Sequence, residues 1–202
     1  AVIGCFTTPF SLALNTLAGD SVNYGIEQTP DWVKQIKLPD DKETFSNESI
    51  QYLLTDTQIS TQSSQEVYNR LSYRLNEISA IEENSDISIS FSPAYQSLEL
   101  HEVRILRGDK VLKQLDKDKV KILTSETEKS SNIYSGRVEA LIMLEDVRVG
   151  DIVDYSYTVK GANPVFGETF SYFFDLGWGV PVNTLNVRVI APANRKLHYK
   201  FI

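Results

Sequence analysis

Apolar and polar residues alternate with a period of two from about Ile50 onward, and no other feature of this chain restricts its fold as tightly. Successive side chains of an extended strand point to opposite sides, so such alternation marks strands with one buried face. Val67, Leu71, Tyr73 and Leu75 alternate with Tyr68, Arg70, Ser72 and Arg74, with Asn69 interrupting the apolar face. Ile87, Ile89 and Phe91 alternate with serines. Val138, Ala140, Ile142 and Leu144 form another face. Val153, Tyr155, Tyr157 and Val159 form the next, opposite Asp154, Ser156 and Thr158. Leu185, Val187 and Val189, then Leu197, Tyr199 and Phe201, close the series.

Turn residues separate these runs at Arg107-Gly108-Asp109, Val149-Gly150-Asp151, Gly161-Ala162-Asn163-Pro164 and Ala191-Pro192-Ala193-Asn194. Leu98 and Leu100 are in one phase and Val103 and Ile105 in the other, the slip that a β-bulge puts into a long strand. The polar stretch 57–65 reads as a hairpin loop between strands near Tyr52 and Tyr68. Helical signals are few. Residues 29–37 read as a short helix, with Pro30 in its first turn after a Thr29 cap, and a second turn is expected over 76–82. The expected fold is therefore mainly β, an antiparallel β-sandwich with one or two short helices.

Residues 1–18 carry no charge and end in Thr16-Leu17-Ala18, the small-residue pattern of a secretory leader, followed at once by polar sequence. The initiator Met and basic start are missing, so this segment is read as a signal-peptide remnant. Val2-Ile3-Gly4-Cys5 also resembles a lipobox, in which Cys5 would carry a lipid anchor. The apolar run continues past Cys5, as the core of an ordinary leader does. Either reading places the chain in the periplasm or outside the cell, with membrane contact only through the leader or the lipid. Residues 19–49 then form a lead-in containing the short helix, and 50–202 the sandwich. Ile202 falls inside a strand-like run, so the sandwich is expected to be cut short there.

Composition and charge exclude several function classes. With 20 Lys and Arg against 27 Asp and Glu, the net charge of -7 carries no general attraction for a phosphate backbone. Nucleic acid is not expected as a partner. One Cys and two His supply neither a disulfide nor a zinc site of ordinary ligand spacing. Glu82, Glu83 and Asp86 lack the alternating oxygen ligands and glycine of a calcium loop. The only thiol lies in the leader, and no Gly-x-Ser-x-Gly elbow occurs. His101 and His198 read as sheet-surface histidines, and Asp146 and Asp151 as turn carboxylates paired with Arg148. No catalytic residue, metal ligand or cofactor is assigned.

The aromatic run 166–178 (FGETFSYFFDLGW) is the remaining candidate. As a strand it would direct Phe170, Tyr172 and Phe174 one way and Phe173 the other, with Trp178 beyond. Apolar on both faces, it reads as sandwich core. Its alternative is an interdomain or ligand surface formed by Phe170, Tyr172, Phe174 and Trp178.

The stretches FSPAYQSLELHEVRILRGDKVLKQL and YSGRVEALIMLEDVRVGDIVDYSYTVKGANPVFGETFSYFFDL, with Thr29-Pro30-Asp31-Trp32-Val33 ahead of them, resemble a known family. It is the domain of unknown function that precedes transglutaminase-like cores in bacterial exported proteins. The resemblance runs over about 52–202 and is most specific at Leu144-Glu145-Asp146-Val147-Arg148-Val149-Gly150-Asp151-Ile152-Val153-Asp154-Tyr155 and Gly161-Ala162-Asn163-Pro164. It implies an all-β sandwich, an exported parent, and a Cys-His-Asp site in a domain that follows. On that basis the chain is expected to be a non-catalytic accessory or interaction module whose partner is that domain. The other expectation is a free-standing cell-envelope module binding glycan or peptide through its exposed aromatics. An enzyme acting alone through surface carboxylates such as Asp146 and Asp151 is the least favoured reading.

Overall fold

The computed structural model describes residues 16–17, 20–39, 48–124, 136–167 and 169–200. The lipobox at Cys5, most of the leader, and Phe201 lie outside the described residues. Among the described residues, twelve strands and one α-helix follow one another. They are β1 (Thr16–Leu17), β2 (Asp20–Ser21), β3 (Tyr24–Ile26), β4 (Ile50–Ser60), β5 (Glu66–Leu75), α1 (Ile78–Asn84), β6 (Asp86–Phe91) and β7 (Ser97–Arg107). After these come β8 (Lys110–Lys113), β9 (Val120–Thr124), β10 (Val138–Met143), β11 (Ile152–Lys160) and β12 (Val182–Ile190). Among the described residues no helix is long and apolar enough to cross a membrane.

Two sheets make the sandwich. The larger has seven strands in the order β12-β4-β5-β11-β7-β3, with β8 beside β7, and the smaller has three in the order β6-β10-β9. The core between them draws one face from each. Tyr73, Leu75, Leu98, Leu100, Val103 and Val153 of the larger sheet meet Ile87, Ile89, Phe91, Val138, Ala140 and Ile142 of the smaller, and Ala80 of α1 joins them. These are the residues whose alternation marks the strands, and burying each large aliphatic side chain contributes roughly 1.5–3 kcal/mol.

The expected bulge is present, and three other local features depart from the expected fold. The slip in β7 is a bulge, and the extra residue is His101: Tyr157 of β11 pairs with Leu100, and Ser156 already with Glu102. Residues 29–37 form no helix. A single turn at Asp31–Trp32, closed by Val33 N donating to Pro30 O at 3.0 Å, gives way to a strap without regular structure whose main chain is bonded by sheet side chains instead of by itself. The loop expected over 57–65 is shorter, because β4 continues to Ser60. Strand pairing is antiparallel with two exceptions, since β12 runs parallel to β4 and β3 parallel to β7.

The Val149-Gly150-Asp151 turn does not close a hairpin. β10 and β11 belong to different sheets, so residues 144–151 carry the chain from one layer to the other. The crossing is tied to the end of β5, where Gly150 N donates to Leu75 O at 2.6 Å and Leu75 N to Asp151 O at 3.0 Å. At the far end of β11, Gly161 adopts a φ of +106°, and a Cβ there would overlap the carbonyl oxygen of Tyr95. Gly161→Ala therefore meets both backbone strain and a backbone clash. Urea denaturation should show it destabilised by more than about 1 kcal/mol; a loss of a few tenths would mean that the Tyr95 loop moves aside freely.

Candidate functional site

The larger sheet has a second face, opposite the core, built from residues that alternation alone assigns to solvent. Asp154, Ser156 and Thr158 of β11, Tyr68, Arg70 and Ser72 of β5, Asp56 and Gln58 of β4 and His101 of the bulge are all buried. The strap of residues 27–37 covers them. Glu27 N donates to Leu100 O at 2.9 Å, where the strap leaves β3. From there sheet side chains hold the strap by its main chain. Gln58 donates from Nε2 to Lys34 O at 2.7 Å and accepts from Lys34 N at 3.0 Å. Arg70 donates to Ile36 O at 2.9 Å, and Arg188 of β12 to Trp32 O at 2.7 Å. Trp32 anchors its indole N–H on Glu66 at 2.9 Å, and Val33 supplies a buried apolar contact.

Beneath the strap the charges are matched. The Asp154 carboxylate, whose side chain is 2% exposed, accepts from Arg70 Nε and Nη2 at 2.9 and 3.0 Å and from Arg104 Nε and Nη2 at 2.9 and 2.7 Å. Burial works against the charged form of Arg70, but its bonds and attraction to Asp154 win, and its pKa lies above the ordinary value. Asp56 is raised by burial, only partly countered by hydrogen bonds from Asn186 and Gln58. His101 is the residue whose expected position the structure corrects most. It is buried, not on the surface, with Nδ1 3.0 Å from Glu27 O and Nε2 2.7 Å from Thr158 Oγ1, and its ring stacks on Tyr68 at 5.9 Å. Burial lowers its pKa. His198, by contrast, is exposed.

Of the carboxylates that flank Arg148 in the crossing turn, Asp146 pairs with its side chain and Asp151 accepts from its backbone N–H at 2.8 Å. Asp146 accepts from Arg148 Nε at 2.9 Å while adopting a left-handed φ of 53°, which Asp tolerates better than most residues. Arg107, at the end of β7, donates to Asp151 at 2.8 Å and to Asp146 at 3.0 Å, clamping the turn to the β7–β8 hairpin. Both Asp146 and Asp151 are thus engaged in holding backbone. Among the described residues no group of three or more His, Cys, Asp and Glu is placed to hold a metal.

The aromatic segment is not a strand. The described residues of 166–178 beyond the short 3-10 turn Pro164–Phe166 have no regular ladder, and they lie largely at the surface. Phe170 and Phe174 are half-buried, Tyr172 and Trp178 exposed, and Phe173 is 73% exposed. Tyr172 and Phe174 touch ring to ring at 4.8 Å. Trp178, 40% exposed, leans on Tyr52 at 5.0 Å, and from Tyr52 an aromatic series runs inward through Tyr73 at 5.6 Å to Tyr155 at 6.4 Å and Tyr157 at 6.3 Å. Burial pushes the Tyr157 hydroxyl up to about 12, with Tyr172 adding to it. Leu185 and Val187 of β12 are exposed as well. They share the register of Thr55 and Thr57, on the side of the sheet that carries Tyr52. The period-two signal in β12 was available to find them, but it marks a face without saying whether anything covers it.

Because Asp154 is surrounded by two guanidiniums and excluded from water, removing it strands Arg70 in the interior. Asp154→Ala should cost about 3–5 kcal/mol in urea denaturation. Adding Arg70→Met should recover much of that loss, and a single-variant cost below about 1 kcal/mol would show that solvent reaches the pair.

Comparison with known proteins follows from this architecture. A crystal structure from Parabacteroides distasonis, described as that of "a putative protease", is similar with a TM-score of 0.51 and 14% identity, over 56% of this chain and 23% of that one. The likeness at this identity is one of fold, and the chain spans about a quarter of that protein's length. No curated protein matches the chain. The sequence profile of DUF3857, a domain of unknown function with a solved structure, matches residues 61–202, which takes in every strand from β5 onward and both clamped turns. The chain belongs to the DUF3857 family.

Proposed function

We propose that this chain is a non-catalytic interaction module at the N-terminal side of an exported transglutaminase-like protein, and that it docks the domain that follows it. The observation that carries the reading is the contrast between the two faces of the larger sheet. One face is covered along its length by the strap, even where its residues are charged, while the other leaves Tyr172, Trp178, Leu185 and Val187 exposed beside the core. An apolar surface of this kind on an otherwise well-covered sheet fits a protein partner. Membership of the family supports the reading, as does the small share of the Parabacteroides protein that the fold accounts for. In such a parent the reacting Cys, His and Asp come from the following domain, and this module positions it or widens its substrate surface.

The test is made on the parental polypeptide. Trp178→Ala with Val187→Glu should leave this module folded at a cost of about 1–3 kcal/mol, since the side chains are 40% and 39% exposed. The same pair should loosen the contact between domains, seen as faster proteolysis between them and a larger radius of gyration. Independent tumbling of the two domains in the unaltered polypeptide would sink the proposal. Saturable quenching of Trp178 by one glycan or peptide from an envelope panel would favour the free-standing binding module instead.

A further inference from the structure

The strap is held in an unusual way for a segment that covers so much of a sheet. Apart from buried Val33, the Trp32 indole bond to Glu66 and the Glu27 N bond to Leu100 O, its attachment consists of hydrogen bonds between its main chain and side chains projecting from β4, β5, β7 and β12. Each such bond contributes about 0.5–1.5 kcal/mol, so the strap can detach without unfolding the sandwich beneath it. Its first anchor beyond β3 is His101, the bulged residue. The Glu27 carbonyl can only accept, so Nδ1 carries the proton and donates, and Nε2 accepts from the Thr158 hydroxyl. The neutral ring satisfies both partners with no net charge in a buried site.

We propose that residues 27–37 form a releasable cover over the polar face of the larger sheet, and that His101 is its acid-sensitive latch. Protonation places a second N–H against Thr158 and a full positive charge under the strap. The groups facing the ring offset that charge only in part. Glu99 on its own strand is already paired with Lys160 of β11 at 2.7 Å, Tyr68 of β5 is neutral, and Glu27 of the strap favours the charged ring through its carbonyl and its carboxylate, but by less than burial disfavours it. Thr158 and the stacked Tyr68 shut out water, so burial dominates and the neutral ring is favoured while the strap is docked. Docking is thus fully supported above the ordinary imidazole value of 6.5 and is lost as pH falls through the lower value of the closed state. Opening exposes Gln58, Arg70 and Arg188, whose donors otherwise bind strap carbonyls, while the core face of the sheet stays intact.

Other acids lie along the strap, Glu66 under Trp32, Asp56 beside Gln58, and Glu27 and Asp31 within it, so the experiment must separate them from His101. Amide hydrogen exchange of the full chain, corrected for intrinsic rates, is followed between pH 7.5 and 5 in wild type and in His101→Asn. The Asn side chain keeps a donor toward Glu27 O and cannot charge. In wild type the amides of Glu27 and Lys34 should lose protection as pH falls, while those of Val153 and Tyr155 keep theirs. In His101→Asn the loss should vanish. The ring signals of wild-type His101 should titrate below the ordinary imidazole value of 6.5 and in step with the strap amides. This last reading does not depend on the variant folding. Protection of the strap that stays flat with pH would overturn the proposal. So would an unchanged loss in His101→Asn, which would place the latch elsewhere, or a His101 that titrates at the ordinary imidazole value while the strap stays shut.

Discussion

A carboxylate with almost no access to water, held between two guanidiniums, sets the conditions for the rest of the molecule. Asp154 sits near the start of β11, the strand between β5 and β7, and its charge has to be met from both neighbours at once. Arg70 comes from β5 and Arg104 from β7, so the ion cluster also fixes the register of three adjacent strands. A one-residue slip would send Asp154 into the apolar core and leave both arginines unpaired. The strap closes over this cluster, and the matching of charge beneath it is what makes that closure tolerable. The cluster and the strap therefore define each other: Arg70 reaches Asp154 with two nitrogens and Ile36 O with a third.

The two faces of the larger sheet consequently use different physics. Toward the smaller sheet, shape and burial dominate, with aliphatic residues of β7 and β11 meeting those of β6 and β10. Toward the strap, directional bonds dominate and geometry is fixed atom by atom. The first face continues outward as the aromatic series from Tyr155 to Trp178, where apolar side chains emerge at the surface instead of ending against a partner layer. The second is closed over polar groups that elsewhere would simply face solvent. Stability resides mainly in the first, and specificity of arrangement in the second.

Much of the strand layout could be read from the residues. β6, β10 and β11 coincide with clean alternation because each has one face in the core, and the bulge in β7 showed as a change of phase between Leu100 and Val103. What escaped reading shares one cause. Periodicity reports polarity, whereas burial of Asp154, Arg70 and His101 depends on a segment more than thirty positions away in sequence. The strap itself carries a plausible helix start at Thr29-Pro30, but local propensity lost to the side chains of Gln58, Arg70 and Arg188, which claim its carbonyls. The aromatic run looked like a doubly buried strand because its composition is that of one, yet with Gly167, Gly177 and Gly179 punctuating it no neighbouring strand takes it into a ladder. Nor does any local pattern foretell that β12 lies parallel beside β4.

That last pairing has a consequence for how the molecule comes into being. β4 is an interior strand, but its second neighbour is the last strand of the described chain, and bonds such as Asn186 to Asp56 and Gln51 to Asn183 span about 130 positions. Loop closure over such a distance is slow, and it has to await synthesis of β12. Until β12 arrives, β4 presents a bare edge of unpaired amides and carbonyls. A nascent chain of this design stays open and threadable until β12 is made, then closes as Arg188 reaches over to Trp32 and ties β12 to the strap.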